Sequence, residues 1–480
     1  MLLSRANYYI LYNFLIVFLS SLVFKAFPLH GDERPNFVVI LCDDLGYGDI
    51  SCYGNKIIKT PNIDRLASQG IRFTDYYSPS PVCSPSRVGL LTGRTPNRAG
   101  IYDWIPSGTQ FHLEEKEFTI PKMLKRVGYA TCMSGKWHCN GKFNKKSQPQ
   151  PGDFGFDHWF ATQNNAAPSH RNPKNFVRNG EGVGELEGFS CRIVAEEANR
   201  WIENHVTENP DQPFFTFIAF HEPHEPISSP ESMISNYPNA QKKGEALYYA
   251  NVENMDFAVG MIMDCLNRNK VAENTLVIFT SDNGPETLNR YGGAWRSHGS
   301  PGDLRGMKLH THEAGIRVPG VMRWPLQIKA GQVSDEPVNS LDLMPTFANL
   351  AAGEIPIDIQ LDGTDIVNAF GKDEVIRKRP MFWCYYSALN KSKVALRDGN
   401  WKLLASLKSK NDKYLKIRSL NKSNYDLVKT AKLVDFELYN IGNDNDESLN
   451  LVDKNHDEFK RLSEAMRMMF DEVLKDSKIW

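Results

Sequence analysis

The sequence has little cysteine and almost no excess of either charge, and it contains no repeat or low-complexity tract. Its eight cysteines among 480 residues are too few for the disulfide framework that stabilises small secreted domains. The formal net charge of −1 at pH 7 produces no field around the whole molecule that would attract nucleic acid or another polyanion. Nucleic acid is therefore not an expected partner, and recognition of an anion must come from a local cluster of residues.

The long apolar run of the chain lies at its start. Arg5 precedes the run Ile10 to Phe24, and no acidic residue appears before Asp32. This pattern is typical of a signal peptide, and the run is shorter than the about 20 residues that a membrane-spanning helix needs. We expect residues 1–31 to be a signal peptide and the mature protein to be secreted or periplasmic, or lysosomal or extracellular in a eukaryote. No stable membrane anchor is expected, although an uncleaved anchor is the alternative.

Export would place the cysteines in an oxidising compartment. Cys132 could pair with Cys139, or Cys42 with Cys52. The spacing favours neither pair, and so few cysteines form no pattern from which a pairing could be read.

Two apolar runs of strand length end in polar residues with oxygen atoms. They are Asn36 to Asp44 (NFVVILCDD) and Thr275 to Gly284 (TLVIFTSDNG). A continuous apolar run is typical of a buried parallel strand, and open α/β sheets bind ligands at the carboxyl ends of their strands. Such oxygen ligands suit calcium or magnesium better than zinc, and ordinary turns are the alternative. The four candidate ligands are Asp43, Asp44, Asp282 and Asn283.

A third buried strand is predicted within Pro213 to Pro226 (PFFTFIAFHEPHEP). It would carry His221 and His224 at its carboxyl end. Two histidines three residues apart could bind a transition metal, but a zinc site needs a further soft ligand nearby and the sequence offers none.

The run Cys83 to Arg87 (CSPSR) is the most distinctive stretch of the chain. Its serines and Pro85 are typical of the first turn of a helix, which Cys83 would cap. A residue there faces unpaired backbone N–H groups and the positive end of the helix dipole, both of which favour an anion. Arg87, four residues on, shares its face. A buried structural cysteine beside a loop proline is the alternative.

CSPSR resembles the signature of the type I sulfatases, in which the cysteine is oxidised after translation to formylglycine. The hydrate of that aldehyde is the nucleophile of the family. GKWH, Gly135 to His138, and LRGMKLHTHEAGIRVP, Leu304 to Pro319, resemble further family elements. Seven such elements occur in family order between Asn36 and Pro319. The resemblance implies an α/β fold, the alkaline-phosphatase-like α/β/α sandwich, with a smaller C-terminal antiparallel-sheet subdomain.

The resemblance also implies a role for each matched side chain. His138 would act as the base that re-forms the aldehyde, and His224 or Lys308 would protonate the departing oxygen. One calcium ion is implied, with magnesium less expected, and a formylglycine-generating enzyme is implied as the maturation partner. The catalytic set would be Cys83, Arg87, Lys136, His138, His224 and Lys308. The metal set would be Asp43, Asp44, Cys83, Asp282 and Asn283.

The chain departs from the family pattern at a few positions. Cys139 and Asn140 stand where a leucine and a glycine are common, and Ala314 replaces a usual glycine. Alanine is tolerated at the last position if its φ angle is negative. His310 and His312 match no family role and are candidates for sugar contacts.

Two stretches outside the motifs bear on the substrate. Residues 140–188 are rich in glycine, proline and asparagine, which predicts loops, and the resemblance implies that this region helps to shape the substrate pocket. They carry Phe154, Phe156, Trp159 and Phe160. Lys391 to Leu433 contains twelve Lys or Arg and three acidic residues. This segment is either a solvated basic insert or a contact surface for a sulfated polymer.

The pattern of apolar and polar residues changes beyond Lys372. Short alternating segments and an apolar stripe in the last 25 or so residues predict an antiparallel sheet followed by a helix. A chain of 480 residues also exceeds the size at which one core keeps growing. We therefore predict a catalytic domain over residues 32–371 and an α+β subdomain over residues 372–480.

The predicted function is hydrolysis of a sulfate ester, with a sulfated carbohydrate or an aryl sulfate as substrate. A long aromatic loop and a basic insert in an exported enzyme favour the carbohydrate. Two alternatives stay open. One is a phosphatase or phosphonate monoester hydrolase of the same superfamily, and the other is a catalytically silent glycan-binding relative.

Overall fold

The computed structural model describes residues 34–371 and 373–480. The predicted signal peptide, residues 1–31, lies outside the described residues. The strands are, in chain order, β1 Asn36–Asp43, β2 Ile71–Phe73, β3 Tyr76–Tyr77, β4 Ala130–Lys136, β5 His158–Thr162, β6 Val177–Arg178, β7 Glu181–Gly182, β8 Phe214–Pro223, β9 Thr275–Ser281, β10 Gly320–Arg323, β11 Gln332–Ser334, β12 Val338–Asn339, β13 Met381–Cys384, β14 Val394–Asp398, β15 Trp401–Lys408 and β16 Lys432–Asn440.

The helices begin and end largely where local sequence signals put them. Thr60 precedes the first helix and Pro61 occupies its first position, where a residue without an N–H is tolerated. The helices are, in chain order, α1 Pro61–Ser68, α2 Cys83–Thr92, α3 Ile120–Arg126, α4 Ser190–Glu208, α5 Glu231–Ile234, α6 Glu245–Arg268, α7 Glu313–Ile316, α8 Leu343–Leu350, α9 Tyr425–Lys429 and α10 His456–Asp476.

The central sheet of the described residues has ten strands in the order β11-β2-β10-β9-β1-β8-β4-β5-β6-β7. Strand β1 pairs in parallel with β8 and β9, and β4 pairs in parallel with β8 and β5. Strand β10 is antiparallel to β9. The four neighbours β9, β1, β8 and β4 therefore end side by side at one edge of the sheet.

Side chains of β1 alternate between two cores. Phe37, Val39 and Leu41 pack with helices α2, α3 and α8 on one face, while Val38 and Ile40 pack with α1, α4 and α6 on the other. These side chains are fully buried, and burying each such group contributes about 1.5–3 kcal/mol. Helices cover both faces of the sheet, which confirms the predicted α/β/α sandwich.

A second sheet lies in the C-terminal part of the chain. Its four antiparallel strands have the order β13-β14-β15-β16. Leu462, Met466 and Phe470 of α10 pack in the same core as the side chains of this sheet. The predicted antiparallel sheet and final helix are confirmed. The division between residues 32–371 and 372–480 stays a prediction, and Lys372 itself lies outside the described residues.

The prediction that residues 140–188 form only loops is wrong. Strand β5 pairs in parallel with β4 and belongs to the central sheet. Phe154, Phe156 and Trp159 pack in one core and Phe160 in the other, so these aromatic side chains stabilise the fold and do not face substrate. The strand has five residues, too short to stand out among the surrounding glycines and prolines.

Two further observations concern export and cysteine chemistry. None of the helices in the described residues is both long enough and apolar enough to cross a membrane. All eight cysteines are free, so neither Cys132 with Cys139 nor Cys42 with Cys52 forms a disulfide.

A fully buried charge cluster joins β15 to helix α7 and to Glu447. The Lys402 ammonium lies 2.8 Å from Glu313 and 2.9 Å from Glu447. A buried carboxylate that loses its partner is costly. We expect Lys402→Met to lower the free energy of unfolding by about 3–5 kcal/mol, measured by urea denaturation.

The matched control for that prediction is an exposed ion pair. Lys174 lies 3.0 Å from Glu185, and both side chains are 57% exposed. Lys174→Met should change the free energy of unfolding by less than about 1 kcal/mol. If Lys402→Met and Lys174→Met lowered the free energy of unfolding equally, burial would not be the reason that Lys402 stabilises the fold.

Candidate active site

The predicted site residues meet at the carboxyl edge of the four neighbouring parallel strands. Asp43 ends β1, Lys136 ends β4, and Asp282 directly follows β9. Lys136 reaches this edge because Gly135 has a φ of +113°, and a Cβ at Gly135 would lie 1.9 Å from the Ala219 carbonyl oxygen. Only glycine lets β4 and β8 approach so closely at that point.

Three carboxylates share the bottom of the site. Ligand oxygens of Asp43, Asp44 and Asp282 all lie within 4.8 Å of one another, and all three residues are buried. Asp43 Oδ1 and Asn283 Oδ1 are buried without a hydrogen-bond partner. The Asn283 amide donates to Asp44 at 2.7 Å, which leaves its Oδ1 free. A cluster of hard oxygen atoms with unpaired acceptors fits calcium or magnesium and does not fit zinc.

Burial and the neighbouring acid Asp43 raise the pKa of Asp282 to about 7 although Arg87 opposes the shift. A carboxylate with such a pKa is not fully ionised at neutral pH. A bound divalent cation would keep Asp282 ionised, because opposite charge favours the charged form.

Arg87 and Lys136 form hydrogen bonds with the carboxylates. Arg87 donates to Asp282 from Nε at 2.9 Å and donates to the Lys136 carbonyl oxygen at 2.9 Å. The Lys136 ammonium donates to Asp43 at 2.6 Å. Burial would raise the pKa of Asp43, but Lys136, His224 and Arg87 hold it well below its usual value. Arg87 and Lys136 are therefore placed to fix the carboxylates rather than to line the cavity.

A cavity of about 700 Å³ adjoins this cluster, because Lys308 and His224 line the cavity and also contact Asp44. Four of the predicted catalytic residues line it: Cys83, His138, His224 and Lys308. A cavity of this size lies within the range of about 300–1,000 Å³ typical of small-molecule sites. It has room for a substrate much larger than a sulfate group.

Cys83 lies at the first position of α2 and does not cap it. The preceding Val82 has an extended backbone and its carbonyl oxygen accepts from the Ser86 N–H at 3.1 Å, so Val82 is the capping residue. Burial raises the pKa of the Cys83 thiol to about 11 against the opposing charges of Lys136 and Lys308. An unmodified Cys83 is a neutral thiol at pH 7, which is a poor nucleophile.

His138 presents one ring nitrogen without a partner. Its Nε2 lies 3.2 Å from the carbonyl oxygen of Ile105, and a carbonyl only accepts, so Nε2 carries the proton. Nδ1 is buried without a partner. Burial, then the charges of Lys136 and Arg87, lower the pKa of His138 well below its usual value. His138 is thus a neutral base with a free lone pair.

His224 and Lys308 contact Asp44 from the cavity side. The Lys308 ammonium lies 2.7 Å from Asp44 and 3.8 Å from Glu286. Burial would lower the pKa of Lys308, but Asp44 and Glu286 raise it well above its usual value. His224 Nε2 lies 3.6 Å from Asp44, and burial lowers its pKa.

The backbone is strained next to three of these residues. Asp44, His138 and Leu309, which follows Lys308, have φ angles of 67°, 53° and 67°. Positive φ is uncommon for residues with a Cβ, and such conformations cluster at functional sites. Ala314 lies in helix α7, where φ is negative, so the replacement of the family's glycine is tolerated.

Some predicted neighbours do not reach the cavity. His310 and His312 stack on each other with centroids 6.1 Å apart and do not line it. His221 is fully buried behind it, with Nε2 2.8 Å from Thr162 Oγ1. Neither finding supports a role in sugar contact.

Asn164 and Asn165 line the cavity and lie in the 140–188 segment that was expected to shape the substrate pocket. Sequence reasoning missed other residues of the wall, namely Asp103, Trp104, Arg290, Tyr291, Tyr385 and Ser387. They come from loops far apart in the chain and belong to no motif. Lys416 and Arg418 also line the cavity, and the predicted basic insert was the signal for them.

Two family models match the chain. The model described as Sulfatase matches residues 35–354, which is more than half of the chain. The model described as N-sulphoglucosamine sulphohydrolase, C-terminal, matches residues 307–476.

Curated relatives and solved structures agree with these matches. Human arylsulfatase A is 35% identical over 407 residues, with 80% of this chain and 77% of that protein covered. Rat N-acetylgalactosamine-6-sulfatase is 34% identical over 375 residues, with 73% and 68% covered. The crystal structure of Ps i-CgsB in complex with k-i-k-neocarrahexaose superposes with a TM-score of 0.76 at 28% identity, covering 93% of this chain and 94% of that one.

Proposed function

The chain belongs to the type I sulfatase family, with the family's alkaline-phosphatase-like fold, and from this premise we propose that it removes sulfate from a sulfated carbohydrate through a formylglycine at position 83. The observation that carries the proposal is the position of Cys83. It lines a cavity together with two histidines and Lys308, and Lys308 contacts Asp44 of the cluster of three buried carboxylates.

The metal site would hold one calcium ion. Asp43, Asp44, Asp282 and Asn283 would supply its protein ligands, and the modified residue 83 would complete the set. The ion would supply a fixed positive charge beside the sulfate oxygens. The oxygens Asp43 Oδ1 and Asn283 Oδ1, which are buried and accept no hydrogen bond, support this assignment.

The aldehyde at residue 83 would supply the nucleophile as one hydroxyl of its hydrate. The residues around it hold charge and protons. Lys308, and Lys136 from behind, place positive charge near the developing negative charge. His138 is placed to take a proton at Nδ1, because that nitrogen is free and its imidazole is neutral.

Two residues are candidates to donate the proton that the departing oxygen needs. Lys308 keeps its proton at neutral pH because Asp44 and Glu286 raise its pKa. Burial leaves His224 neutral in the free enzyme, and its Nδ1 faces the Glu225 carbonyl oxygen at 2.6 Å. Lys308 therefore carries the proton before substrate binds, and His224 becomes a donor only if the bound anion raises its pKa.

A carbohydrate substrate is supported by the wall of the cavity. Lys416 and Arg418 of the basic insert line it, and the related proteins include an N-acetylgalactosamine-6-sulfatase and a structure with a bound neocarrahexaose. Phe154, Phe156, Trp159 and Phe160 do not support it, because their side chains are buried in the two cores. Export through the predicted signal peptide stays part of the proposal, as does maturation by a formylglycine-generating enzyme.

Paired aryl esters test the reaction class. We expect release of sulfate from 4-nitrophenyl sulfate at a kcat/KM at least about 100-fold above that for phosphate from 4-nitrophenyl phosphate. Preferred phosphate release would replace the proposal with the phosphatase or phosphonate hydrolase alternative. A panel of glycosaminoglycan and algal oligosaccharides, screened for desulfated products, then tests the substrate. No product alongside good aryl sulfate turnover would remove the carbohydrate.

The pH dependence should report the neutral state of His138. A base with a lowered pKa stays unprotonated as pH falls, so kcat/KM for 4-nitrophenyl sulfate should stay level through pH 6.5 and decline only below it. Because Lys136 lowers the pKa of His138, Lys136→Met should move the acid limb to higher pH. A limb at or above pH 6.5 in the wild type would contradict the assignment of His138 as the base.

A further inference from the structure

A second, smaller cavity adjoins the main one. The second cavity has a volume of about 120 Å³. Asp103, Trp104 and Arg418 line both cavities, so the two share these residues as a common wall. The binding surface therefore extends beyond the space next to Cys83.

Trp104 stands at the junction of the two cavities. It is 41% exposed, and it is the only exposed tryptophan among the described residues. Its backbone N–H donates to Asp103 Oδ1 at 2.8 Å, and Asp103 in turn accepts from the Tyr385 hydroxyl at 3.0 Å. A large ring left in water at a cavity edge offers its apolar face to a ligand ring.

The positive charges of the wall divide into two groups. Lys308 is paired with Asp44, and Arg290 is paired with Glu286 at 2.6 Å. Lys416 and Arg418 are exposed, and within the described ranges neither forms an ion pair. Asp103 is the acid of this wall, so the two cations leave an excess of positive charge next to Trp104.

The lowered pKa of the neighbouring Lys393 reflects the same excess of positive charge. Burial, and then the charge of Lys416, lower the pKa of Lys393 to about 8. The Lys393 ammonium donates to the carbonyl oxygens of Ala388 and Asn390 at 2.5 and 2.7 Å, and it forms no ion pair with any residue that the structure describes. An anion bound at this wall would relieve the repulsion.

We propose that Trp104 and Arg418 form a subsite for a second sugar residue, next to the one that carries the cleaved sulfate, and that this second residue is anionic. The proposal rests on the proposed function and narrows its substrate to an acidic oligosaccharide or polysaccharide of at least two residues. The anionic group is a sulfate ester or a uronate carboxylate. Trp104 contacts the ring, and Arg418 with Lys416 contacts the anion.

The test measures how strongly oligosaccharides of increasing length compete with 4-nitrophenyl sulfate hydrolysis. Size ladders from chondroitin sulfate, which has uronate and sulfate, and from carrageenan, which has sulfate without uronate, serve as probes. Each ladder starts at its sulfated monosaccharide, and for at least one ladder we expect the half-inhibiting concentration to fall at least about tenfold from the monosaccharide to the disaccharide, which is the step that fills the subsite. A gain with chondroitin sulfate alone would assign the anion to the uronate, and a gain with both ladders would assign it to sulfate.

Substitutions test whether the stronger inhibition by longer oligosaccharides arises at this subsite. Trp104→Ala and Arg418→Gln should each abolish most of the length-dependent gain. Phe257, another exposed aromatic residue at 45%, and Lys422, another exposed cation of the insert, provide the controls Phe257→Ala and Lys422→Gln, which should keep it.

The outcomes separate this inference from the proposed function. Inhibition that is independent of length in both ladders, or a gain that survives both substitutions, overturns the subsite while leaving the sulfatase reaction in place. Failure of protein carrying the aldehyde at position 83 to hydrolyse 4-nitrophenyl sulfate would overturn the proposed function itself.

Discussion

Replacing Cys83 by serine should lower kcat for 4-nitrophenyl sulfate by on the order of 10³-fold or more. A serine offers a single hydroxyl. The hydrate of formylglycine has two, and the second lets sulfate leave without attack by water. Alanine at this position should be at least as inactive. The measurement is steady-state turnover of protein produced together with a formylglycine-generating enzyme.

Two controls show whether misfolding causes the loss of turnover in that experiment. One is the thermal unfolding of the variant, and the other is a serine substitution at the nearby Cys139. Cys139 is also buried, and its Sγ lies 3.3 Å from the Trp137 carbonyl oxygen. Cys139→Ser should keep turnover within about threefold if the fold survives. Turnover of Cys83→Ser equal to that of the wild type would remove position 83 from the mechanism.

Removing divalent cations should lower turnover by at least about 100-fold, because a metal ion supplies several kcal/mol of charge stabilisation in such reactions. Added calcium should restore activity better than magnesium, and zinc should not restore it, because the donors are hard oxygens. Calcium at 100 times its dissociation constant should also stabilise the fold by about 2.7 kcal/mol. Turnover and differential scanning calorimetry provide the two measurements.

Substitutions of two carboxylates separate the metal site from general effects of charge. Asp44→Asn should remove the calcium-dependent rise in melting temperature. Asp264, whose side chain is 59% exposed, provides the control Asp264→Asn, which should keep that rise. If chelation of divalent cations changed neither the melting temperature nor the turnover, the metal assignment would be contradicted.

The sequence predicted the strand ends of the site well. The runs before Asp43 and Asp282 are continuous and apolar because both faces of β1 and β9 are covered by helices. That burial leaves a strong pattern in the sequence. The carboxylate cluster follows from it, since parallel neighbours end at the same edge.

The cavity wall could not be predicted in the same way. Tyr385 and Arg418 reach Trp104 across roughly 300 residues of chain, and no local pattern encodes such a contact. Strand β5 was missed because it is short and lies among turn-forming residues. The cap of α2 was misplaced by one residue, because serine and proline content indicates a first turn without fixing the residue at which it begins.

The state of residue 83 in active enzyme tests the account most directly. Trypsin should release the peptide Phe73 to Arg87, which contains residue 83. Mass spectrometry of this peptide from purified protein that hydrolyses 4-nitrophenyl sulfate should show the aldehyde in place of the thiol. An intact cysteine in fully active protein would contradict the account.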